Sequence, residues 1–205
     1  MKWVVATHNR DKLKEIVPLF DGFAVELLAL DEFKDIGPIE ETGTTLEENA
    51  LLKARTVHLA TGLPAIADDT GLEVDALGGE PGVRSARFSG DDVISAANVA
   101  LLLDRLSAAP SGERTARFRT VAAYVDGNLE VITEGIVRGE IVRSPQGSEG
   151  FGYDSVFRPD SYKETFGQMS RAKKQTFSHR TQAFVALGKR LTETLSSFHQ
   201  KETST

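Results

Sequence analysis

Pro64-Ala65-Ile66-Ala67-Asp68-Asp69-Thr70-Gly71 is an apolar run that stops at two neighbouring carboxylates and two small residues. It predicts a buried strand over 65–68 ending in a tight Asp-Asp-Thr-Gly corner. A second strand follows, Leu72-Glu73-Val74-Asp75, whose alternation puts Glu73 and Asp75 on one face. A corner of this kind holds acids rigidly, as a metal site requires, although Asp and Gly also build ordinary turns. Clustered carboxylates repel one another, so a divalent cation or a nearby lysine stabilises them. Magnesium takes only one or two protein carboxylates, so one Glu and one Asp suffice.

Upstream of the corner, Leu46, Ala50, Ala54 and Val57 line one side of a helix expected over about 46–59, with Asn49 and Lys53 one turn apart on another face. Its start reads two ways. Thr45 with Glu48 makes a capping box, and Thr44 with Glu47 fits the same pattern, which would leave Glu48 to reach a metal. Before it lies a polar, acidic stretch from Asp31 to Thr44. At the N-terminus, Trp3 to Ala6 reads as a strand. Asn9 then caps a helix with the stripe Leu13, Ile16, Val17 and Phe20, kinked or ended early by Pro18. The turn Thr7-His8-Asn9-Arg10-Asp11-Lys12 suits phosphate, because a helix start presents backbone N–H groups, here joined by Lys12. A simple Asn9 cap accounts for much of the same pattern.

Downstream, Gly78-Gly79-Glu80-Pro81-Gly82 is a loop by composition. Asp91 or Asp92 should cap a helix through Ala96, Val99, Leu102, Leu103 and Leu106, ended by Pro110. Asp126-Gly127-Asn128 between two apolar runs, 120–125 and 129–132, signals a hairpin, with a third strand over 135–142. The loop Gly147 to Gly152 precedes a short strand near 155–157, and a last helix from about Ser178 carries Phe184, Leu187, Leu191 and Leu195. Phe151, Gly152, Tyr153 and Asp154 combine backbone freedom with a stacking surface and a polar edge, which suits a flat ligand. Cations at a helix start oppose its dipole, so His179 and Arg180 need another reason to be there.

At 205 residues the chain is long enough for one domain, or two lobes sharing a sheet, that buries about 70% of its unfolded surface. No run approaches the roughly 18 apolar residues of a membrane span. The N-terminus enters a strand pattern at once, so a cytoplasmic protein without a signal peptide is expected. With no cysteine, disulfides and thiolate-bound metals are ruled out, and the four histidines show no i, i+4 pairing. Any metal should therefore be a hard one held by oxygen. A net charge of −6 argues against a nucleic-acid polymer as partner. From Arg158 to Arg190, however, eight Lys/Arg residues face only Asp160 and Glu164, which suits a small polyanion.

In this order, several segments resemble the inosine triphosphate pyrophosphatase family: Ala6 to Lys12, Glu48-Asn49-Ala50-Leu51-Leu52-Lys53-Ala54, and Ala67 to Asp75. Ser85-Ala86-Arg87-Phe88-Ser89-Gly90, Gly150 to Asp154 and Ser178-His179-Arg180 continue the match, so the likeness runs from about residue 2 to 195. The resemblance implies an elongated α/β fold, two lobes around a central mixed β-sheet with helices on both faces and an active-site cleft between lobes. It implies a single catalytic domain over 1–198, usually as a homodimer, while the polar residues 199–205 read from composition as a frayed tail. The implied reaction is Mg²⁺-dependent hydrolysis of nonstandard purine nucleoside triphosphates (ITP, dITP, XTP) to the monophosphate and pyrophosphate. By matched position, Glu48 and Asp69 hold the metal and Asp69 accepts the proton of the attacking water. Asp68 lies beside them, Lys53 contacts phosphate, and Thr7, His8, Asn9, Arg10, Asp11 and Lys12 cradle the triphosphate. Thr70 matches a substrate-contacting position, and Phe151, Gly152, Tyr153, Asp154, Lys174, His179 and Arg180 hold the base and nearby phosphate. Three positions depart from the family pattern: His8 stands where Gly is frequent, Thr70 where Ser is frequent, and Ala172-Lys173 where acidic residues are usual.

Overall fold

A computed structural model describes residues 1–90 and 94–202. Seven strands form one mixed sheet in the order β2-β1-β3-β5-β6-β7, with β4 paired to β3. β1 (Lys2–Val5), α1 (Arg10–Ile16), β2 (Glu26–Ala29), α2 (Leu46–Thr61) and β3 (Ala65–Val74) come first. β1 runs parallel to both β2 and β3, which requires the crossovers that α1 and α2 supply. β4 (Pro81–Gly82), α3 (Ser95–Arg105), β5 (Thr115–Val125), β6 (Glu130–Ile141), β7 (Phe157–Pro159), α4 (Arg171–Gln175) and α5 (His179–Glu202) complete the chain.

The chain divides into two compact units. Unit 1 is Met1–Asp68, Val121–Gly135 and Arg180–Thr205, and unit 2 is Asp69–Thr120 and Ile136–His179. Each has its own core. In unit 1, Trp3, Val5, Ile16, Phe20, Ile66, Tyr124, Phe184, Leu187 and Leu191 pack together. In unit 2 the cluster is built on Leu72, Leu102, Leu106, Phe118, Tyr153, Phe157 and Phe166.

Several expected elements take a different form. β3 is a single ten-residue strand that runs through Asp68, Asp69, Thr70 and Gly71, so there is no corner. The pairing explains why: β1 pairs with Ala65 and Ile66, β5 is the neighbour on the other side, and β4 pairs with Leu72 and Glu73. Gly71 is there for space, since a Cβ would sit 2.7 Å from the Gly82 carbonyl oxygen. Thr133-Glu134 does not break the chain, and the two expected strands flanking it are one strand, β6. Asp126 Oδ1 accepts from the Asn128 and Leu129 N–H groups at 3.0 and 2.8 Å, which makes the expected hairpin turn. Asn9 caps α1 as expected, and a 3-10 turn over Val17–Phe20 follows at Pro18. Val17 is exposed rather than part of the buried stripe. β2 and α4 were not anticipated, Pro81 and Gly82 of the expected loop form β4 because they pair with β3, β7 lies two residues beyond its expected start, and α5 reaches Glu202. The Asp91 or Asp92 cap lies outside the described residues, as does the side chain of Leu195. α3 starts after Ile94 without a side-chain capping bond. Among the described residues, no helix is long and apolar enough to cross a membrane.

Candidate active site

Within unit 1 the anticipated residues converge on Asp68. Its carboxylate is buried in β3, where Asp is otherwise disfavoured, and three cations account for its presence. Lys12 Nζ lies 3.0 Å from Asp68 Oδ2, and Arg180 reaches the same oxygen at 3.2 Å through both Nε and Nη2. Lys53 adds its charge at longer range. Burial alone would push the Asp68 carboxyl up, but Lys12, Arg180 and Lys53 together hold it well below the usual carboxylate range. The remaining side of the Arg180 guanidinium donates to Glu15, a buried acid on α1. This supplies the reason for a cation at the start of α5: it neutralises two buried carboxylates. The guanidinium is thereby committed to Asp68 and Glu15.

The α1 turn is less open than its sequence suggests. Asn9 Oδ1 accepts from the N–H groups of Asp11 and Lys12 at 2.9 and 3.2 Å, so two of the expected phosphate donors are already used. Thr7 Oγ1 accepts from the Asn9 N–H at 3.1 Å. His8 Nδ1 lies 2.8 Å from Asp31 Oδ1, and Arg10 lies 3.9 Å from the same carboxylate. Asp11 pairs with Lys14 at 2.9 Å on the surface. From this segment, Lys12 reaches the buried acid.

α2 resolves the two capping alternatives in favour of Thr45 with Glu48. Glu48 Oε2 accepts from Thr44 N at 2.6 Å, Thr44 Oγ1 at 2.9 Å and Thr45 N at 3.2 Å. The Thr44 backbone bond above all lowers its pKa. Asn49 is buried and accepts from Gly43 N at 2.8 Å, and a Cβ at Gly43 would meet Asn49 Oδ1 at 2.6 Å. Lys53 Nζ lies 2.6 Å from Glu41 Oε1. Glu15 and Glu41 were not anticipated. In sequence Glu41 is one of several acids in a polar stretch, and Glu15 sits beside the apolar stripe with no motif of its own. The available signal was indirect: buried cations demand acids.

Within unit 2, β3 continues with Asp69, also buried, and then Thr70, whose Oγ1 lies 2.7 Å from Thr120 Oγ1. Successive strand residues point to opposite faces, so Asp68 and Asp69 do not share one. Asp75, instead of joining an acidic cluster, accepts from Thr115 Oγ1 at 2.6 Å, and Glu73 accepts from Arg117 Nε at 2.6 Å. Asp154 Oδ2 accepts from Lys174 Nζ at 2.7 Å and from Phe151 N–H at 2.9 Å, and Lys174 lies 5.2 Å from the ring centres of both Phe151 and Phe166. Gly150 has φ +73°, and a Cβ there would collide with the Asp154 carboxylate, so this position favours glycine. The His179 ring stacks on Phe118 at 4.6 Å and 15°. Tyr153 is a packing residue: its hydroxyl donates to the Ser85 carbonyl at 2.9 Å, and burial pushes its pKa up. Beside the glycine loop, a cavity of about 510 Å³ opens against α3, with Val99, Leu103 and Phe151 in its walls.

The sequence model of the Ham1 family matches residues 3–190. The chain belongs to the Ham1 family. Its match includes every candidate site residue, from Thr7 to Arg180. The dITP/XTP pyrophosphatase of Geobacter sulfurreducens is 46% identical over 185 residues, covering 90% of this chain and 93% of that protein. The dITP/XTP pyrophosphatase of Mycobacterium tuberculosis is 47% identical over 189 residues, with 91% and 93% covered. Among solved structures, a Coxiella burnetii HAM1 protein superposes with a TM-score of 0.86 at 38% identity, over 94% of this chain and 99% of that one. The Staphylococcus aureus Ham1 protein gives 0.84 at 34% identity over the same shares. The α/β fold and the Ham1 assignment thus agree with the order of motifs in the sequence.

Proposed function

We propose that this Ham1-family chain hydrolyses nonstandard purine nucleoside triphosphates, namely dITP, XTP and ITP, to the monophosphate and pyrophosphate. The observation that carries the reading is the buried Asp68 ringed by Lys12, Lys53 and Arg180, in a chain whose relatives are named dITP/XTP pyrophosphatases. Fixed cations of this kind hold a triphosphate tail in place. Lys12 and Lys53 contact the phosphates and stabilise the leaving pyrophosphate. Asp69 takes a proton from the attacking water, whose oxygen bonds to the α-phosphorus as the bond to the β-phosphate oxygen breaks. Positioning and electrostatics do most of the catalysis, as in phosphoryl transfer generally.

The donor chemistry fits a hard divalent cation such as Mg²⁺, since the available ligands are carboxylates. Bound there, the ion would neutralise charge on the phosphate tail. Glu48 offers a fixed, ionised carboxylate, with its capping bonds all on Oε2. A second reading places Glu41 in that role, because Glu41 already meets the phosphate-binding Lys53 whereas Glu48 serves the helix cap. Comparing Glu48→Gln with Glu41→Gln separates the two: the ligand variant raises the Mg²⁺ concentration needed for half-maximal rate, and the other does not.

Base selection rests on His179 and Lys174, which offer donors to a 6-keto oxygen and face a mismatched donor in a 6-amino group, a penalty of about 1–3 kcal/mol. The deciding experiment measures pyrophosphate released from ITP, XTP, dITP, GTP and ATP with and without Mg²⁺. Turnover of ITP, dITP and XTP well above ATP, lost without the metal, is expected, and equal turnover of ATP or none of any substrate overturns the proposal. Asp69→Asn should lower turnover by at least about 100-fold while the protein stays folded. Homodimer assembly and a cytoplasmic location belong to the same proposal, the first tested by light scattering of the purified protein.

A further inference from the structure

Two of the side chains assigned to the substrate are held by one face of β5. Phe118 and Thr120 are two residues apart on that strand and so point the same way. Thr120 is fully buried, and its hydroxyl lies 2.7 Å from that of Thr70. Phe118 lies parallel to the His179 imidazole, 4.6 Å away, and is itself wedged edge-on against Phe157 at 4.7 Å. Phe166 leans on both Phe118 and His179 at 6.0 Å. Neither Phe118 nor Thr120 is needed for β5 to form, because any apolar or β-branched residue serves a buried strand. What these two supply is direction: a hydroxyl partner limits the rotation of Thr70 Oγ1, and a flat face fixes the plane of His179.

We infer that Phe118 and Thr120 are positioning residues, Thr120 aligning the Thr70 hydroxyl for the substrate and Phe118 aligning the His179 ring for the base. The inference rests on the proposed pyrophosphatase reaction, and it divides the labour along a single strand. Thr120 acts on turnover, because the Thr70 hydroxyl that it fixes is assigned to hold the substrate in its reacting geometry. Phe118 acts on discrimination between bases, because a ring free to tilt no longer aims one donor at a 6-keto oxygen.

Steady-state kinetics with ITP and ATP test this on wild type, Thr120→Val, Thr120→Ser and Phe118→Leu. Valine keeps the shape and removes the hydroxyl, so kcat for ITP should fall about tenfold with KM within about twofold, the size expected for one lost hydrogen bond. Serine should restore at least half of wild-type kcat. Phe118→Leu should cut the ITP-to-ATP ratio of kcat/KM by about tenfold, mainly through KM for ITP. Wild-type kcat in Thr120→Val, or equal impairment in Thr120→Ser, overturns the assignment of Thr120. An unchanged ITP-to-ATP ratio in Phe118→Leu overturns that of Phe118. Should the valine variant fail to fold, Thr120→Ala takes its place under the same criteria. A wild-type protein that releases no pyrophosphate would instead refute the reaction itself, a result distinct from inert variants of an active enzyme.

Discussion

Asp68 shows how one residue ties stability to function. Its carboxylate is nearly solvent-free and meets Lys12 and Arg180 through a single oxygen, while Glu15 balances the far side of Arg180. Removing the acid leaves buried cations without their counter-charge, which costs about 3–5 kcal/mol. Asp68→Asn should therefore lower the midpoint of urea unfolding by most of the protein's margin, and an unchanged midpoint would contradict the network. The pH dependence follows from the sign of the shift. The folded pKa is depressed, so the stabilisation is complete above the unfolded value near 3.9 and disappears as pH falls through the lower folded value. Unfolding midpoints should be insensitive to Asp68 between about pH 5 and 8 and should drop below about pH 4, with the drop shallower in Asp68→Asn. At this scale the sequence was informative about which residues matter and less so about their contacts. Lys12, Lys53, Asp68 and Arg180 were identifiable from motif spacing, but Glu15 and Glu41 were not, since the partner of a buried charge comes from a remote segment. The same applies to Arg180, which looked like a base-reading residue and is committed to two acids.

β3 carries the largest difference between local pattern and observed element. Two acids, a threonine and a glycine read as a turn because each is disfavoured in strands or favoured in corners. Tertiary pairing overrides that preference: β1, β5 and β4 all flank the strand, and the buried Asp68 is matched by Lys12 and Arg180. Thr133-Glu134 in β6 repeats the lesson, as polar residues within a long strand mimic a break. β2 and α4 escaped notice for another reason. Each has five residues or fewer, too short for a period to register. By contrast α2 and α5 were legible because two or more turns of apolar spacing fall within each, joined in α2 by a cap. Gly71 offers the sharpest test at this level. Its φ is unexceptional, so Gly71→Ala probes space alone: the added Cβ would lie 2.7 Å from the Gly82 carbonyl. Overpacking of this sort costs about 1–3 kcal/mol. Thermal melts should show that loss together with reduced turnover, because the strand that shifts carries Asp69 and Thr70. A melting temperature equal to wild type would mean that β4 moves aside freely.

At the scale of the whole molecule, unit 1 is assembled from three segments separated by long stretches of chain. Its core therefore depends on the C-terminal helix. Phe184, Leu187 and Leu191 of α5 are each at most 1% exposed, and Phe184 meets Phe20 edge-on at 6.1 Å. Thr133 Oγ1 also donates to the Ala183 carbonyl at 2.8 Å, fastening the helix to β6. Deleting one such buried side chain typically costs 2–5 kcal/mol, against a total stability of about 5–15 kcal/mol for an ordinary domain. Leu187→Ala alone should thus be folded but clearly weakened, with a thermal midpoint several degrees lower. A chain truncated after His179 loses the core side chains of Ala183, Phe184, Leu187 and Leu191 and the Arg180 counter-ion to Asp68 at once, a deficit larger than the margin. It should show no cooperative melt by circular dichroism and no protection of the β1 amides from hydrogen exchange. A truncated chain that still unfolds cooperatively would show that residues 1–179 hold a sufficient core, and would remove α5 from the elements that position Asp68 and Lys12.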